Sequence, residues 1–327
     1  MKPLVYIIVL NWNGHQDTLR CVDSLEQQVY ANRRILLVDN GSIDGSVNVL
    51  KGLGDRVSLI ENPENLGYAG GNNRAMREAF RQGADYVWRF NNDAVAEPDA
   101  LARMVDICEA DPGIGLVSPL VREEDDHDAV QSACGLFDLT MPAYTPTNDV
   151  AQAQVWQTKY PDRIGVVGAA LLVRRAVYEK IGALDERLFA YWEDYDYSIR
   201  SALAGFRNIV VVDTSVFHRG KPSIVSSNAA RPHYYYFMSR NELLMWRKYC
   251  SRMRFLRFVI WVVRQRLVQI ESMSANGPVV DAMLAGVWHG LRGIGGRYEP
   301  GRRMPSPVRG LLARHPRFWI RQIDALS

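Results

Sequence analysis

Two hydrophobic periods alternate along the first half of the chain. Residues 5–10 form an unbroken apolar run, the pattern of a strand buried on both faces. Residues 17–28 then space Leu19, Val22 and Leu25 along one helical face. The alternation continues with strands at 34–38, 57–61 and 86–90 and helices at 44–50 and 72–82. A helix over 98–110 and a short strand at 115–119 follow. Residues 122–162 show no period and read as a variable or mobile loop region. Strands at 166–173 and 208–212 and helices at 176–181 and 195–204 complete the pattern. Strands alternating with helices predict an α/β fold: a mostly parallel central sheet with helices on both faces. Ligands of such sheets sit outside the carboxyl ends of the strands, where Asn11, Asp39, Asn62 and Asn91 fall. After Pro232 the chain turns helical, aromatic and basic, which predicts a helical C-terminal extension.

Composition narrows the class. The 327 residues are 47% hydrophobic and 23% charged, which is globular and long enough for one large domain with an appendage, or two domains. The expected division is 1–222 followed by 223–327. Cys21, Cys108, Cys134 and Cys250 are scattered with no CxxC pair, so neither a zinc cluster nor a disulfide framework is indicated; a reducing, cytoplasmic compartment fits. The opening apolar run lacks a cleavage site and reads as a first strand, and no stretch approaches a spanning helix. The net charge of +3 conceals a split: residues 251–327 carry 13 Arg against 4 acids, while the rest carries 26 basic and 32 acidic residues. Such a tail suits an anionic partner, a membrane surface or nucleic acid.

The candidate chemistry lies at strand ends. Asp39 precedes the turn Asn40-Gly41-Ser42 and suits a hydrogen bond from a pyrimidine ring N–H; turn chemistry alone favours the same residues. Asn65-Leu66-Gly67-Tyr68-Ala69-Gly70-Gly71-Asn72-Asn73 reads as a glycine-rich loop entering a helix, either a phosphate site or a tight structural turn. It follows the third strand, not the first, which disfavours a nicotinamide enzyme. Asn91-Asn92-Asp93 offers one carboxylate to a hard divalent cation, with the Asn side chains toward ribose or phosphate. His218, with Arg219 and Lys221 beside it, suits a metal shell or a diphosphate contact, or a purely structural role. Glu193, Asp194 and Asp196 crowd three carboxylates into a helix start. The flanking Phe189, Tyr191, Trp192 and Tyr195 suggest a walled cleft in which Tyr191 and Trp192 meet an acceptor.

The order of these motifs resembles family 2 of the glycosyltransferases, particularly its rhamnosyltransferase-like members. The series runs through Asn11-Trp12-Asn13-Gly14, Asp39-Asn40-Gly41-Ser42, the 65–72 segment, Asn91-Asn92-Asp93, Gly168–Arg175, Trp192-Glu193-Asp194-Tyr195-Asp196 and His218, over roughly 4–220. Tyr234-Tyr235-Tyr236-Phe237-Met238-Ser239-Arg240-Asn241 extends it. The resemblance implies a GT-A fold, with a nucleotide-sugar donor half of about 1–120 and an acceptor half of about 121–222, and inverting hexosyl transfer from a nucleotide-sugar, with Mg2+ or Mn2+. It implies donor contacts at Asn11, Asn13, Asp39, Asn65, Gly67, Gly71, Asn72, Asn91, Asn92 and Asp93, and a metal held by Asp93 and His218. It makes Asp194 the general base, with Glu193 and Asp196 orienting or binding the acceptor. The rhamnosyl likeness favours dTDP-rhamnose, with UDP-sugars open, and a glycan or polyprenyl-linked glycan acceptor in cell-surface polysaccharide synthesis. The chain departs from the family's metal motif, where Asn91 and Asn92 stand in place of acids, so an ion would lean more on substrate phosphates.

Two other readings compete. A nucleotidyltransferase would want a basic glycine-rich loop after the first strand, and Asn11-Trp12-Asn13-Gly14 has no Lys or Arg. A noncatalytic membrane or nucleic-acid binder would explain the tail alone. The tail itself places Arg252, Arg254, Arg257, Arg264 and Arg266 around Phe258-Val259-Ile260-Trp261-Val262-Val263, too short to span. It reads either as an interfacial helix on anionic lipid, peripheral at the inner face of the cell membrane, or as a helix packed on the catalytic domain with solvated arginines; nucleic acid is not expected.

Overall fold

The computed structural model describes residues 2–219, 231–272 and 277–325. It contains two compact units. The first comprises Met1–Asp138, Tyr144–Asp185 and Glu193–Gly220; the second comprises Leu139–Ala143, Glu186–Trp192 and Lys221–Ser327. The boundary expected at 222–223, with Gly220 and Lys221, lies outside the described residues.

The first unit begins β1 (Val5–Asn11), α1 (His15–Glu26), β2 (Arg33–Asp39), α2 (Ser46–Lys51), β3 (Ser58–Glu61), α3 (Gly67–Arg81) and β4 (Tyr86–Asn91). It continues with β5 (Ala94–Ala96), α4 (Ala100–Ala110), β6 (Ile114–Glu123), β7 (Val130–Ser132), β8 (Cys134–Asp138), β9 (Ala143–Thr147) and α5 (Val150–Lys159). The last elements are β10 (Ile164–Gly165), β11 (Ala170–Arg174), α6 (Arg175–Ile181), α7 (Glu193–Leu203) and β12 (Arg207–His218). The central sheet runs β3-β2-β1-β4-β11-β6-β12-β5, with β7 on β6. Strands β3, β2, β1 and β4 are mutually parallel; β11 inserts antiparallel between β4 and β6, so the sheet as a whole is mixed. A smaller sheet has the order β10-β8-β9.

Alternating side chains divide the core into two layers. Ile7, Val9, Trp88 and Phe90 pack with α1 and α4 on one face, where Val22, Leu25, Leu101 and Met104 meet them. Tyr6, Ile8, Val87 and Leu171 pack with Ala75, Met76 and Tyr197 of α3 and α7 on the other.

Four expectations are revised. Residues 122–162 hold β7, β8, β9 and α5 rather than loop; these strands are three to five residues long, and α5 buries only Ala153, so neither leaves a period to read. Helix α3 starts at Gly67, not 72, so the glycine-rich segment is its first turns. Gly71 there is a packing residue: a Cβ would sit 2.5 Å from Leu10 Cδ1. Strand β11 begins at Ala170 rather than 166, because the Val166 and Gly168 N–H groups donate to Ser198 and Asp194 side chains instead of a ladder. Strand β12 runs past 212 to His218, through a register shift between Val211 and Ser215.

The second unit carries α8 (Pro232–Tyr249), α9 (Arg252–Ser272), α10 (Gly277–Arg292), α11 (Ser306–Arg314) and α12 (Pro316–Asp324). Helices α8 and α10 pack together, with the Tyr236 hydroxyl 2.7 Å from His289 Nδ1. No helix among the described residues is long and apolar enough to cross a membrane.

The β2–α2 turn yields a stability prediction. Gly41 has φ +74°, and a Cβ there would lie 2.5 Å from the Glu64 backbone carbonyl carbon. Both strain and clash act on rigid main chain, so Gly41→Ala is expected to destabilise the first unit by about 1–3 kcal/mol. A lowered urea midpoint with unchanged slope checks this; an unchanged midpoint contradicts it.

Candidate active site

The strand ends of the donor half form one polar network. Asn11, fully buried, donates to Asp39 Oδ1 at 2.8 Å and to Ser42 Oγ at 3.1 Å, and accepts from Thr18 Oγ1 at 2.8 Å. Asp39 Oδ2 accepts the Ser42 N–H at 2.9 Å. Each Asp39 oxygen therefore has one protein donor and a remaining lone pair. Asn13 holds a left-handed turn at φ +52°, its Oδ1 accepting from the Ile43 N–H. Asn65 caps α3 by accepting the Gly67 N–H at 2.7 Å and is bound in turn by Asn40. Asn72, expected at the start of a helix, is buried inside α3 and donates to Tyr68 O.

The sheet register brings Asp93 and His218 together. Asp93 lies in the two-residue turn between β4 and β5, and β5 pairs antiparallel with β12 so that Ala94 faces His218. His218 Nε2 consequently lies 3.1 Å from Asp93 Oδ1. Its Nδ1 lies 2.7 Å from Gln131 Oε1 on β7. An oxygen at Nδ1 assigns the proton there and leaves the Nε2 lone pair toward Asp93 and the Asn91 amide nitrogen, 3.1 Å away. Burial raises the Asp93 carboxyl, but a proton on His218 Nε2, when the ring carries one there, and the Arg219 charge outweigh it and hold it below its usual range. Two lone pairs facing each other repel unless a proton or a cation lies between them. A carboxylate and an imidazole whose other nitrogen is anchored fit a hard or borderline divalent ion completed by phosphate oxygens. Among the described residues, no group of three or more His, Cys, Asp or Glu side chains could hold a metal unaided.

Asn91 links this pair to the acids of α7. Its Oδ1 lies 2.9 Å from the Tyr68 hydroxyl, which also lies 3.0 Å from Gly168 O. The Gly168 N–H donates to Asp194 Oδ2 at 2.9 Å, and the Tyr195 N–H to Asp194 Oδ1 at 2.9 Å. Asn92 instead binds Thr18 Oγ1 at 3.0 Å.

The three acids at the start of α7 have three different environments. Asp196, fully buried, pairs with Arg200 Nε at 2.9 Å, and Arg200 also binds Ile181 O and Ala183 O; this carboxylate fastens α7 to the segment after α6. Glu193 is 5% exposed and its Oε2 has no hydrogen-bond partner. Burial, then the Asp194 charge, push Glu193 up to about 8, with Arg89 opposing. Burial also raises Asp194, opposed by its two N–H donors and by Arg89. The two N–H donors favour the ionised form at Asp194, while burial without a donor at Oε2 favours the neutral form at Glu193. Tyr144 of β9 stacks on Tyr195 with centroids 3.8 Å apart, and its phenol is raised by burial and then by Tyr195 and Asp194.

The residues before α7 belong to the second unit, where Phe189, Tyr191 and Trp192 have φ of +64°, +68° and +73°. Left-handed aromatic residues are strained and need external restraint. Asn241 supplies it, donating to Leu188 O, Ala190 O and Tyr191 O at 2.7–2.8 Å, while Arg240 binds Arg187 O and Leu188 O. Tyr191 is 36% exposed and meets Tyr234 edge-on, whereas Trp192 is buried.

Sequence reading missed Gln131, Arg89 and Tyr144. Gln131 and Tyr144 sit on short strands without a period. Arg89 had a visible signal, a charge at the centre of a strand otherwise apolar on both faces.

The sheet order is that of a GT-A fold. The mannosyltransferase PcManGT from Pyrobaculum calidifontis, in complex with GDP-Man and Mn2+, superposes over 98% of this chain and 86% of its own (TM-score 0.56, 18% identity). S. aureus TarS 1–349 in complex with UDP-GlcNAc does so over 98% and 88% (TM-score 0.58, 13% identity). The model of glycosyl transferase family 2 matches residues 6–182, and the chain belongs to that family. The N-acetylglucosaminyl-diphospho-decaprenol L-rhamnosyltransferase of Mycobacterium tuberculosis is 28% identical over 67% of this chain and 76% of its own. The galactofuranosyltransferase GlfT1 of the same species is 24% identical over 67% and 71%.

Proposed function

We propose that this glycosyltransferase inverts the anomeric carbon of a nucleotide-sugar, best dTDP-rhamnose, onto a hydroxyl of a polyprenyl-linked glycan in cell-surface polysaccharide synthesis. The observation that carries the mechanism is the asymmetry of the α7 acids: Asp194 is bound by two N–H donors, and Glu193 Oε2 by none. Asp194 takes the acceptor proton as the glycosidic bond forms. Neutral Glu193 positions that acceptor or donates a hydrogen bond to it. Asp93 and His218 would hold Mg2+ or Mn2+, with Gln131 orienting the imidazole; the ion supplies charge to the departing diphosphate. Asp39 and its turn would face the base, and Tyr191 the acceptor. The rhamnosyl donor and lipid-linked acceptor are supported by the decaprenol-directed relative at 28% identity. A galactofuranosyl donor is the second reading, favoured by the 24% identical relative. Product analysis with a panel of dTDP- and UDP-sugars decides between them.

Asp194→Asn is expected to lower kcat by about 10²-fold or more with donor affinity kept, since the amide retains shape but takes no proton. Near-normal turnover would move the base to Glu193. Asp93→Ala is expected to abolish the manganese-dependent part of donor affinity, and Gln131→Ala to weaken manganese binding by about 10-fold or more. Titration calorimetry with and without Mn2+ measures both; metal dependence equal to wild type would remove the pair from the ion.

A peripheral position on the cytoplasmic face of the membrane is supported by α9. One face buries Phe258, Val262, Leu267 and Ile270. The opposite face exposes Met253, Leu256, Ile260, Trp261 and Val268, interleaved with Arg257 and Arg264. An apolar and cationic outer face suits anionic lipid, each arginine adding ~1 kcal/mol at low salt. Flotation is expected to require anionic liposomes, to weaken with salt, and to fall when Arg252, Arg254 and Arg257 become Gln; equal recovery with neutral liposomes would contradict it.

A further inference from the structure

Arg89 is a charged residue placed wholly inside the fold. It occupies the middle of β4, in register with Ile8 of β1 and Leu171 of β11, and has no solvent exposure. It alternates with Trp88 and Phe90, so its side chain enters the layer that contains α3 and α7. The guanidinium lies 5.3 Å from the centroid of the Tyr68 ring. None of its three nitrogens makes a hydrogen bond of ordinary geometry, and Glu193 Oε2 is likewise unpartnered. A buried, unpartnered charge costs several kcal/mol, and a core built for stability alone would place an apolar residue there.

We propose that Arg89 is a positioning residue of the transfer reaction: from β4, beneath the Tyr68 ring that reaches Gly168 and through it Asp194, its guanidinium sets a fixed positive charge behind the acids that open α7. This rests on the reading of Asp194 as the base. The link is physical at each step. Tyr68 covers Arg89 and reaches Gly168 O, and the Gly168 N–H binds Asp194. The other titratable groups acting on Asp194 are Tyr68 from α3, Tyr144 from β9 and Glu193 from α7, while Asp196, itself paired with Arg200, acts on Glu193. Each of these is neutral or negative; Arg89 is the cation acting on both Glu193 and Asp194. Burial alone would depress the Arg89 guanidinium, but Tyr68, Glu193 and Asp194 outweigh it.

The test titrates Asp194 in the free enzyme by carbon-13 NMR of carboxyl-labelled aspartate, with the Asp194→Asn variant assigning the signal. Arg89→Met is expected to raise the Asp194 midpoint by about one pH unit or more, a tenfold change in proton affinity. Arg89→Lys is expected to leave it near wild type, and the Arg89→Met fold to persist, since an apolar side chain removes the burial cost. Arg89→Gln repeats the measurement should Met perturb packing. An unmoved midpoint in the neutral variants, or equal shifts in Lys and Met, overturns the proposal. The base reading fails separately: a fully active Asp194→Asn sinks that reading whatever Arg89 does to the midpoint.

Discussion

The Asn91 amide is the interaction on which the site depends, because both of its ends are engaged and in opposite senses. Its nitrogen meets His218 Nε2, and its oxygen receives the Tyr68 hydroxyl. Through Tyr68 and Gly168 the same chain reaches Asp194. A carboxylate at 91 would replace the donor by an acceptor, leaving His218 Nε2 facing two anions, and would add charge beside Asp93. The departure from the family's acid-rich motif therefore has a local reason. The cost falls on the ion, which would have one carboxylate and one imidazole from the protein and would lean on diphosphate oxygens.

The second constraint is burial at the start of α7. A helix N-terminus favours anions by about 1 kcal/mol, yet the Glu193 carboxyl is pushed up to about 8. Desolvation thus exceeds the dipole, and the two acids separate according to which one finds N–H donors. Within the second unit, the left-handed residues just upstream are held by Asn241 and Arg240. The aromatic-Arg-Asn segment thereby acquires a physical role, since the two N–H donors of the Asn241 amide and the Arg240 guanidinium together hold the carbonyls of Leu188, Ala190 and Tyr191.

Much of this was legible in the sequence. The strands β1, β2 and β4 announced themselves because runs buried on both faces are mostly apolar, and their carboxyl ends located Asn11, Asp39 and Asn91. The family and the GT-A fold followed from the order of motifs, and the match over residues 6–182 agrees. The segment after residue 122 was not legible, since three-residue strands and a helix with one buried side chain carry no period. Gln131 and Tyr144 were lost with it. The start of α3 was misplaced for a different reason: the glycines that read as a loop form its first turns, where Gly71 lets Leu10 approach closely.

The pairing of Asp93 with His218, far apart along the chain, shows how topology does what local sequence does not. Strand β12 enters parallel to β6, absorbs a register shift, and ends antiparallel to β5 with His218 opposite Ala94. Because β5 starts one residue after Asp93, that register alone fixes the imidazole beside the carboxylate. A slip of one residue would turn His218 to the other face of the sheet. Strand β7, paired to β6, then brings Gln131 to the outer ring nitrogen. The Asp93–His218–Gln131 geometry is thus a consequence of edge-strand pairing, which is why the residues that build it are dispersed along the chain while the acids of α7 are contiguous.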